Sequence, residues 1–182
     1  MDTSEIERYL AKLAETYEAL GGRPLTITIC GGAALMILGL VDRTTKDIDL
    51  LEPHHLPTEF DKAARIVARE YGLPDDWINQ GPKQLAEMGL PPGFHKRVVV
   101  RKYGKKLVVR LTSRRDQIFF KMYAAVDRGG YHADDLIKLE PTPEELKLAA
   151  EWCMTHNVSD GFKKILKEML EKLGYGKVAQ TL

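Results

Sequence analysis

The stretch from Cys30 to Leu51 constrains most strongly what this chain can fold into. An apolar run, Leu25–Cys30, leads into the pair Gly31-Gly32, and a second apolar segment, Ala33–Leu40, follows. Glycines between a strand and a helix let the backbone approach a ligand closely, and the start of a helix offers free N–H groups. The pattern therefore predicts a strand, a turn and a buried helix, with a turn suited to phosphate.

Two aspartates alternate with apolar residues at the end of this stretch. Asp47 and Asp49 flank Ile48 and precede Leu50, so in a strand both carboxylates project from one face. Neighbouring carboxylates repel each other, and a divalent cation such as Mg²⁺ removes that cost. The pattern predicts a metal site; a half-exposed strand with its acids turned to solvent is the alternative.

These residues resemble the nucleotidyltransferase superfamily that includes DNA polymerase β, whose signature is Gly-Gly or Gly-Ser, a helix, then Asp-x-Asp on the next strand. They look most like the minimal bacterial and archaeal members, among them toxin components of toxin–antitoxin pairs. The resemblance implies transfer of a nucleoside monophosphate from a nucleoside triphosphate to an acceptor hydroxyl of RNA or protein. It also implies Mg²⁺ or Mn²⁺ on Asp47 and Asp49, which would be catalytic, and an antitoxin as a partner. Nucleotide-binding roles are implied for Gly31, Gly32, Arg43 and Thr45; the residues alone leave Arg43 equally readable as a solvated loop charge.

A second part of the resemblance lies in SRRDQIFFKMYAAVDRGG and the following HADDLIKL. Lys121 interrupts an apolar helix, so its ammonium either reaches water or meets a partner. Asp135 near a helix start would complement the helix dipole in any protein. The resemblance implies that Lys121 is catalytic and contacts the triphosphate, that Arg128 and Asp135 also bind nucleotide, and that Asp135 orders Lys121 or Arg128. We further predict that Lys121 lies in the same cleft as Asp47.

One departure from the family pattern concerns a third carboxylate, which many relatives carry on a later central strand. The candidate strand here, KKLVVRLTS, contains no acid, and Arg110 lies where one would look. Either two carboxylates suffice, or the chain is a catalytically degenerate binder of nucleotide or RNA; a plain interaction protein is the third alternative. Basic residues between Lys96 and Arg115 predict either an RNA-backbone surface or a solvated hairpin face.

Composition narrows the class of protein further. The 182 residues are 44% apolar and 29% charged, as in soluble globular domains, and a net charge of +1 demands no nucleic-acid partner. Cys30 and Cys153 match no metal spacing and are expected to be reduced thiols. The sequence shows neither a membrane-length apolar run nor a signal peptide, so we expect a cytoplasmic protein.

The order of elements predicts an α/β (α+β) fold with a small mixed sheet, flanking helices and a helical C-terminal portion. The predicted domains are a nucleotidyltransferase-like domain, 1–140, and a helical appendage packed on it, 141–182. Strands are predicted at Leu25–Cys30, Lys46–Leu51, Lys96–Tyr103 and Lys105–Thr112. Helices are predicted at Thr3–Leu20 with Ser4 as its cap, Ala33–Leu38, Thr58–Tyr71, around Lys83–Met88, after the cap Ser113 to about Ala125, His132–Leu139, from Pro143 with Thr142 as its cap to about His156, and Ser159–Leu173.

Overall fold

The computed structural model describes the backbone of all 182 residues and the side chains of all of them except Lys83. The chain divides into two compact units, Met1–Ser113 and Arg114–Leu182. The first unit contains a mixed β-sheet with helices, and the second is built from helices. The predicted α+β fold with a small mixed sheet is thus confirmed, whereas the predicted division into domains 1–140 and 141–182 stays a prediction.

The sheet of the first unit has the strand order β3-β2-β1-β5-β4 across the described residues. Strand β1 runs antiparallel to β2 and parallel to β5, β2 is parallel to β3, and β4 is antiparallel to β5. The elements of this unit are α1 (Thr3–Ala19), β1 (Leu25–Cys30), α2 (Gly31–Ile37), β2 (Ile48–Glu52), α3 (Thr58–Tyr71), β3 (Ile78–Asn79), α4 (Lys83–Met88), α5 (Phe94–Arg97), β4 (Val99–Tyr103) and β5 (Leu107–Leu111).

One face of this sheet carries the main apolar core of the first unit. Helix α1 presents apolar side chains at helical spacing, and α3 packs beside it. The strands contribute every second residue, because successive strand side chains point to opposite faces. The fully buried members include Ile6, Leu10, Leu13 and Tyr17 of α1, Ile27 and Ile29 of β1, Ile48 and Leu50 of β2, and Val67 of α3.

Two local predictions near the start of the chain need correction. Helix α1 is capped by Asp2 rather than by Ser4, because the Asp2 carboxylate accepts from the backbone N–H of Glu5 at 2.9 Å while the Glu5 carboxylate accepts from the Asp2 N–H. The acidic strand begins at Ile48, two residues later than predicted, so Asp47 precedes the strand and Asp49 lies within it.

A third correction concerns the strand predicted at Lys96–Tyr103. Its first residues belong to α5, in which Phe94 is buried, and the strand starts at Val99. Strand β3 was not predicted either, because its two residues show no periodicity and form a strand by pairing with β2.

The second unit consists of α6 (Arg114–Arg128), α7 (Tyr131–Lys138), α8 (Pro143–His156), α9 (Asp160–Lys172) and α10 (Gly176–Gln180), the last of which was not predicted. Thr142 caps α8 as predicted, with Glu145 completing a capping box. Trp152 of α8 lies at 5.7 and 5.8 Å, ring centre to ring centre, from Phe119 and Phe120 of α6. Within the described part of the chain, no helix is long and apolar enough to cross a membrane.

Candidate functional site

The chain turns from β1 directly into α2 at Gly31, two residues before the predicted helix start at Ala33, and this turn lies against an acidic side chain. Gly31 has φ +68°, a backbone conformation that residues with a side chain rarely adopt. A Cβ atom added to Gly31 would lie 2.5 Å from Oδ2 of Asp49, far inside van der Waals contact. Glycine is therefore needed at this position both for the turn and for the approach of the Asp49 carboxylate.

The second glycine borders two further predicted residues. A Cβ atom on Gly32 would lie 2.9 Å from Nη2 of Arg43 and 3.0 Å from Oγ1 of Thr45. The loop that carries them is anchored, because the backbone N–H of Thr45 donates to the Met1 carbonyl at 3.0 Å and the Thr45 hydroxyl donates to the Asp47 carbonyl at 3.2 Å. A guanidinium, a hydroxyl and bare backbone thus meet at one place.

The two aspartates follow the predicted alternation of burial. Ile48 and Leu50 are fully buried in the core, whereas Asp47 and Asp49 are half-buried. Asp49 lies opposite Cys30, the last residue of β1, which places it beside the glycine turn. That the two carboxylates share a cation stays a prediction.

Asn79 also belongs to this group of residues, although the sequence analysis did not predict it. Strand β3 pairs with β2 so that Asn79 lies opposite Asp49. Its amide Nδ2 donates to Oδ2 of Asp47 at 3.4 Å, and its Oδ1 accepts from the backbone N–H of Gly81 at 2.8 Å. The Asn-x-Gly spacing is a turn signal, but nothing local indicates that the turn lies against the acidic strand.

The available donors fit a hard divalent cation that keeps part of its shell for other ligands. Among the described side chains, no group of three or more His, Cys, Asp or Glu residues is placed to hold a metal ion. Mg²⁺ usually binds through one or two carboxylates together with water and substrate phosphates. Asp47 and Asp49 supply that number of carboxylates, and Asp49 lies directly against Gly31.

The second unit brings together two other predicted residues. Lys121 of α6 donates to Oδ2 of Asp135 of α7 at 2.7 Å, and their side chains are only 6% and 2% exposed. The Lys121 ammonium also lies 5.6 Å from the ring centre of Tyr131. A buried charge needs such a partner, so Asp135 orders Lys121, one of the two alternatives that the resemblance implied.

Arg128 does not join this buried pair. It ends α6, its side chain is 63% exposed, and its Nε lies 3.5 Å from the carboxylate of its neighbour Asp127. The prediction that Lys121 and Asp47 line a common cleft stays a prediction.

Arg110 occupies the strand position where a third carboxylate was sought. It lies on β5 opposite Thr28 of β1, and the described residues of β5 include no acid. On β4, Lys102 shares a sheet face with Arg110, because Val100 lies opposite Arg110 and is two residues from Lys102, whereas Arg101 points to the other face. The basic residues of this hairpin are therefore divided between two faces, and their role in RNA binding stays a prediction.

Comparison with known proteins places the chain in a family. A family model described as nucleotidyltransferase of unknown function (DUF6036) matches residues 7–137, well over half of the chain. Neither the comparison with curated proteins nor that with solved structures found a match. The matched range includes every residue that was predicted for the site, from Gly31 to Asp135.

Proposed function

The chain belongs to this nucleotidyltransferase family, and we propose that it acts in the manner of the DNA polymerase β superfamily. It would transfer a nucleoside monophosphate from a nucleoside triphosphate to an acceptor hydroxyl and release pyrophosphate. One observation carries this proposal: the Gly31-Gly32 turn closes onto Asp49, Arg43 and Thr45. Carboxylates, a guanidinium and side-chain-free backbone at one place are what a metal-bound triphosphate requires.

The glycine turn and its loop would bind the phosphates. Gly31 and Gly32 add no side chains of their own, and the groups against them are those of Asp49, Arg43 and Thr45. The Arg43 guanidinium would offset phosphate charge and donate two parallel hydrogen bonds, and the Thr45 hydroxyl would add one more. These contacts position the α-phosphorus, and positioning supplies much of the rate in transfers of this kind.

Asp47 and Asp49 would hold Mg²⁺ or Mn²⁺. When bound, the cation would reduce the negative charge on the triphosphate that opposes attack by a hydroxyl. Asn79 would keep the Asp47 carboxylate in place through its amide hydrogen bond. Lys121 would contact the triphosphate with Asp135 holding its ammonium, and Arg128 would bind nucleotide from the end of α6.

The proposal includes RNA or protein as the acceptor, an antitoxin as a partner and the cytoplasm as the location. A catalytically degenerate binder of nucleotide or RNA is the second candidate. Arg110 favours it, because this cation lies on β5, where a third carboxylate was sought.

Asp47→Asn tests the proposal. The assay follows α-labelled triphosphate into total RNA and protein of a bacterial lysate with Mg²⁺ present, and Asp61→Asn, an exposed aspartate of α3, is the matched control. We expect wild type and Asp61→Asn to transfer label, and Asp47→Asn to be slower by at least about 100-fold at an unchanged melting temperature. Equal transfer by Asp47→Asn would refute the role of the carboxylate pair, and binding of triphosphate without transfer by wild type would favour the second candidate.

A further inference from the structure

A β-bulge in the central strand pair turns one more carboxylate toward the face that carries Asp49. Strand β1 pairs with β2 as Cys30 with Asp49 and Ile29 with Leu50, and the register then shifts so that Thr28 lies opposite Glu52. Without the shift, Thr28 would face Leu51. Bulges of this kind re-aim side chains and often lie next to active sites.

The shared face follows from the register. Asp49 and Glu52 are three residues apart on β2, so in a regular strand their side chains would point to opposite faces. Their partners Cys30 and Thr28 are two residues apart on β1 and point to the same face, and directly paired residues share a face. Asp49 and Glu52 therefore stand in one row, separated by about 7 Å along the strand.

The surroundings of Glu52 hold its carboxylate but do not enclose it. The hydroxyl of Thr28, a residue that is 1% exposed, donates to Oε2 of Glu52 at 3.1 Å. Nδ1 of His95 on α5 lies 3.8 Å from the same oxygen. Among the described residues no hydrogen bond reaches Oε1, and the side chain is 26% exposed. One carboxylate oxygen thus accepts a hydrogen bond from Thr28, while the other accepts none from the described residues.

We propose that Glu52 is a catalytic residue that accepts the proton of the acceptor hydroxyl. This inference rests on the proposed function. In the step, the acceptor O–H bond breaks and its proton goes to the Glu52 carboxylate, while the oxygen forms a bond to the α-phosphorus. The bond from the α-phosphorus to the bridging oxygen breaks, and pyrophosphate leaves with that electron pair. The triphosphate and the acceptor alcohol are the reactants, so atoms and charges balance.

The geometry favours this role over a merely structural one. A carboxylate that served only to pair with Thr28 would need neither partial exposure nor a place on the face of Asp49. Proton acceptance by a positioned side chain typically contributes about 10²–10⁴-fold to a rate, and the group must lie within hydrogen-bond reach of the proton. Glu52 lies in the same row as Asp49, about 7 Å along the strand, and so beside the proposed metal site.

The experiment compares Glu52→Gln with Thr28→Val, which removes the hydroxyl donor but keeps the carboxylate. Both are assayed for label transfer to lysate RNA and protein, for melting temperature, and for binding of triphosphate with Mg²⁺. We expect Glu52→Gln to transfer label at least about 100-fold more slowly. Its triphosphate dissociation constant should stay within about twofold of wild type, since the residue acts on the acceptor, and Thr28→Val should keep at least about a third of the wild-type rate.

Each other outcome decides against the inference in a recognisable way. Transfer by Glu52→Gln at the wild-type rate, with Asp47→Asn inactive, would overturn the role of Glu52 and leave the proposed function standing. Equal loss of rate and melting temperature in Glu52→Gln and Thr28→Val would show that Glu52 acts through the fold. Absence of transfer by wild type would refute the proposed function and this inference together.

Discussion

Gly31→Ala tests the geometry of the site without relying on any assumed activity. The substitution has two separable costs. The positive φ of +68° disfavours any residue with a Cβ atom by about 1–2 kcal/mol. The new Cβ would also lie 2.5 Å from Oδ2 of Asp49, where ordinary contact begins at 3.4 Å, so the carboxylate must retreat by most of an ångström. Overpacking of this kind costs about 1–3 kcal/mol.

Gly39 provides a matched control for the backbone term. It has the same φ of +68°, and a Cβ atom built on it meets nothing within 4 Å. Gly39→Ala should therefore cost only about 1–2 kcal/mol, and Gly31→Ala about 2–5 kcal/mol. The difference between the two measures the contact with Asp49.

The assay is urea unfolding of the two alanine variants, each alone and combined with Asp49→Ala. Removing the carboxylate removes the clash, so in the Asp49→Ala background Gly31→Ala should cost no more than Gly39→Ala. The same cost for Gly31→Ala and Gly39→Ala in the wild-type background would contradict the placement of Asp49 against the turn. So would a cost of Gly31→Ala that stays higher after Asp49 is truncated.

Two further predictions concern the second unit. Lys121→Met should lower the free energy of unfolding by about 3–5 kcal/mol, because it leaves the buried Asp135 carboxylate without its ammonium partner. The double variant Lys121→Met with Asp135→Leu should recover most of that loss in urea unfolding, and an equal loss in the single and double variants would argue against the ion pair. Burial alone would raise the pKa of Glu145, but its carboxylate accepts hydrogen bonds from the Arg114 guanidinium and the Thr142 backbone N–H, which outweigh burial and hold that pKa below its usual 4.5. The pairing therefore stabilises the fold above pH 4.5, and its contribution is lost as the pH falls through the lowered pKa. Glu145→Gln should cost about 1 kcal/mol of stability at pH 7 and progressively less below pH 4.5. Thermal melts measure this cost, and a cost that stays constant down to pH 2.5 would refute the argument.

Local signals in the sequence were enough to predict the fold class and many of its helices. Helix α3 begins and ends at the predicted residues, because an amphipathic period leads to Gly72, which adopts φ +64° at the C-cap. Helix α8 starts at Pro143 as predicted, since Thr142 and Glu145 form a capping box that is visible in the sequence. Where a capping signal and a helical period coincide, the sequence alone predicts where a helix begins or ends.

The residues of the site that were missed depend on pairing between distant strands. Asn79 reaches Asp47 because β3 joins the sheet beside β2, a contact between residues 32 positions apart. Glu52 faces the Asp49 side because of a bulge, and no residue in its neighbourhood signals a register shift. Both features arise from tertiary structure, for which local sequence patterns contain little information.

The most direct test of the central claim is calorimetric titration of the protein with a nucleoside triphosphate. The titration is made with Mg²⁺ and again with the cation removed by chelation, for wild type, Asp49→Asn and the matched control Asp61→Asn. The account predicts that wild type and Asp61→Asn bind triphosphate only with Mg²⁺, and that Asp49→Asn loses at least about tenfold in affinity. Binding that is equally tight without the cation, or unchanged in Asp49→Asn, would contradict the assignment of the Gly31-Gly32 turn and its two aspartates as a metal–triphosphate site.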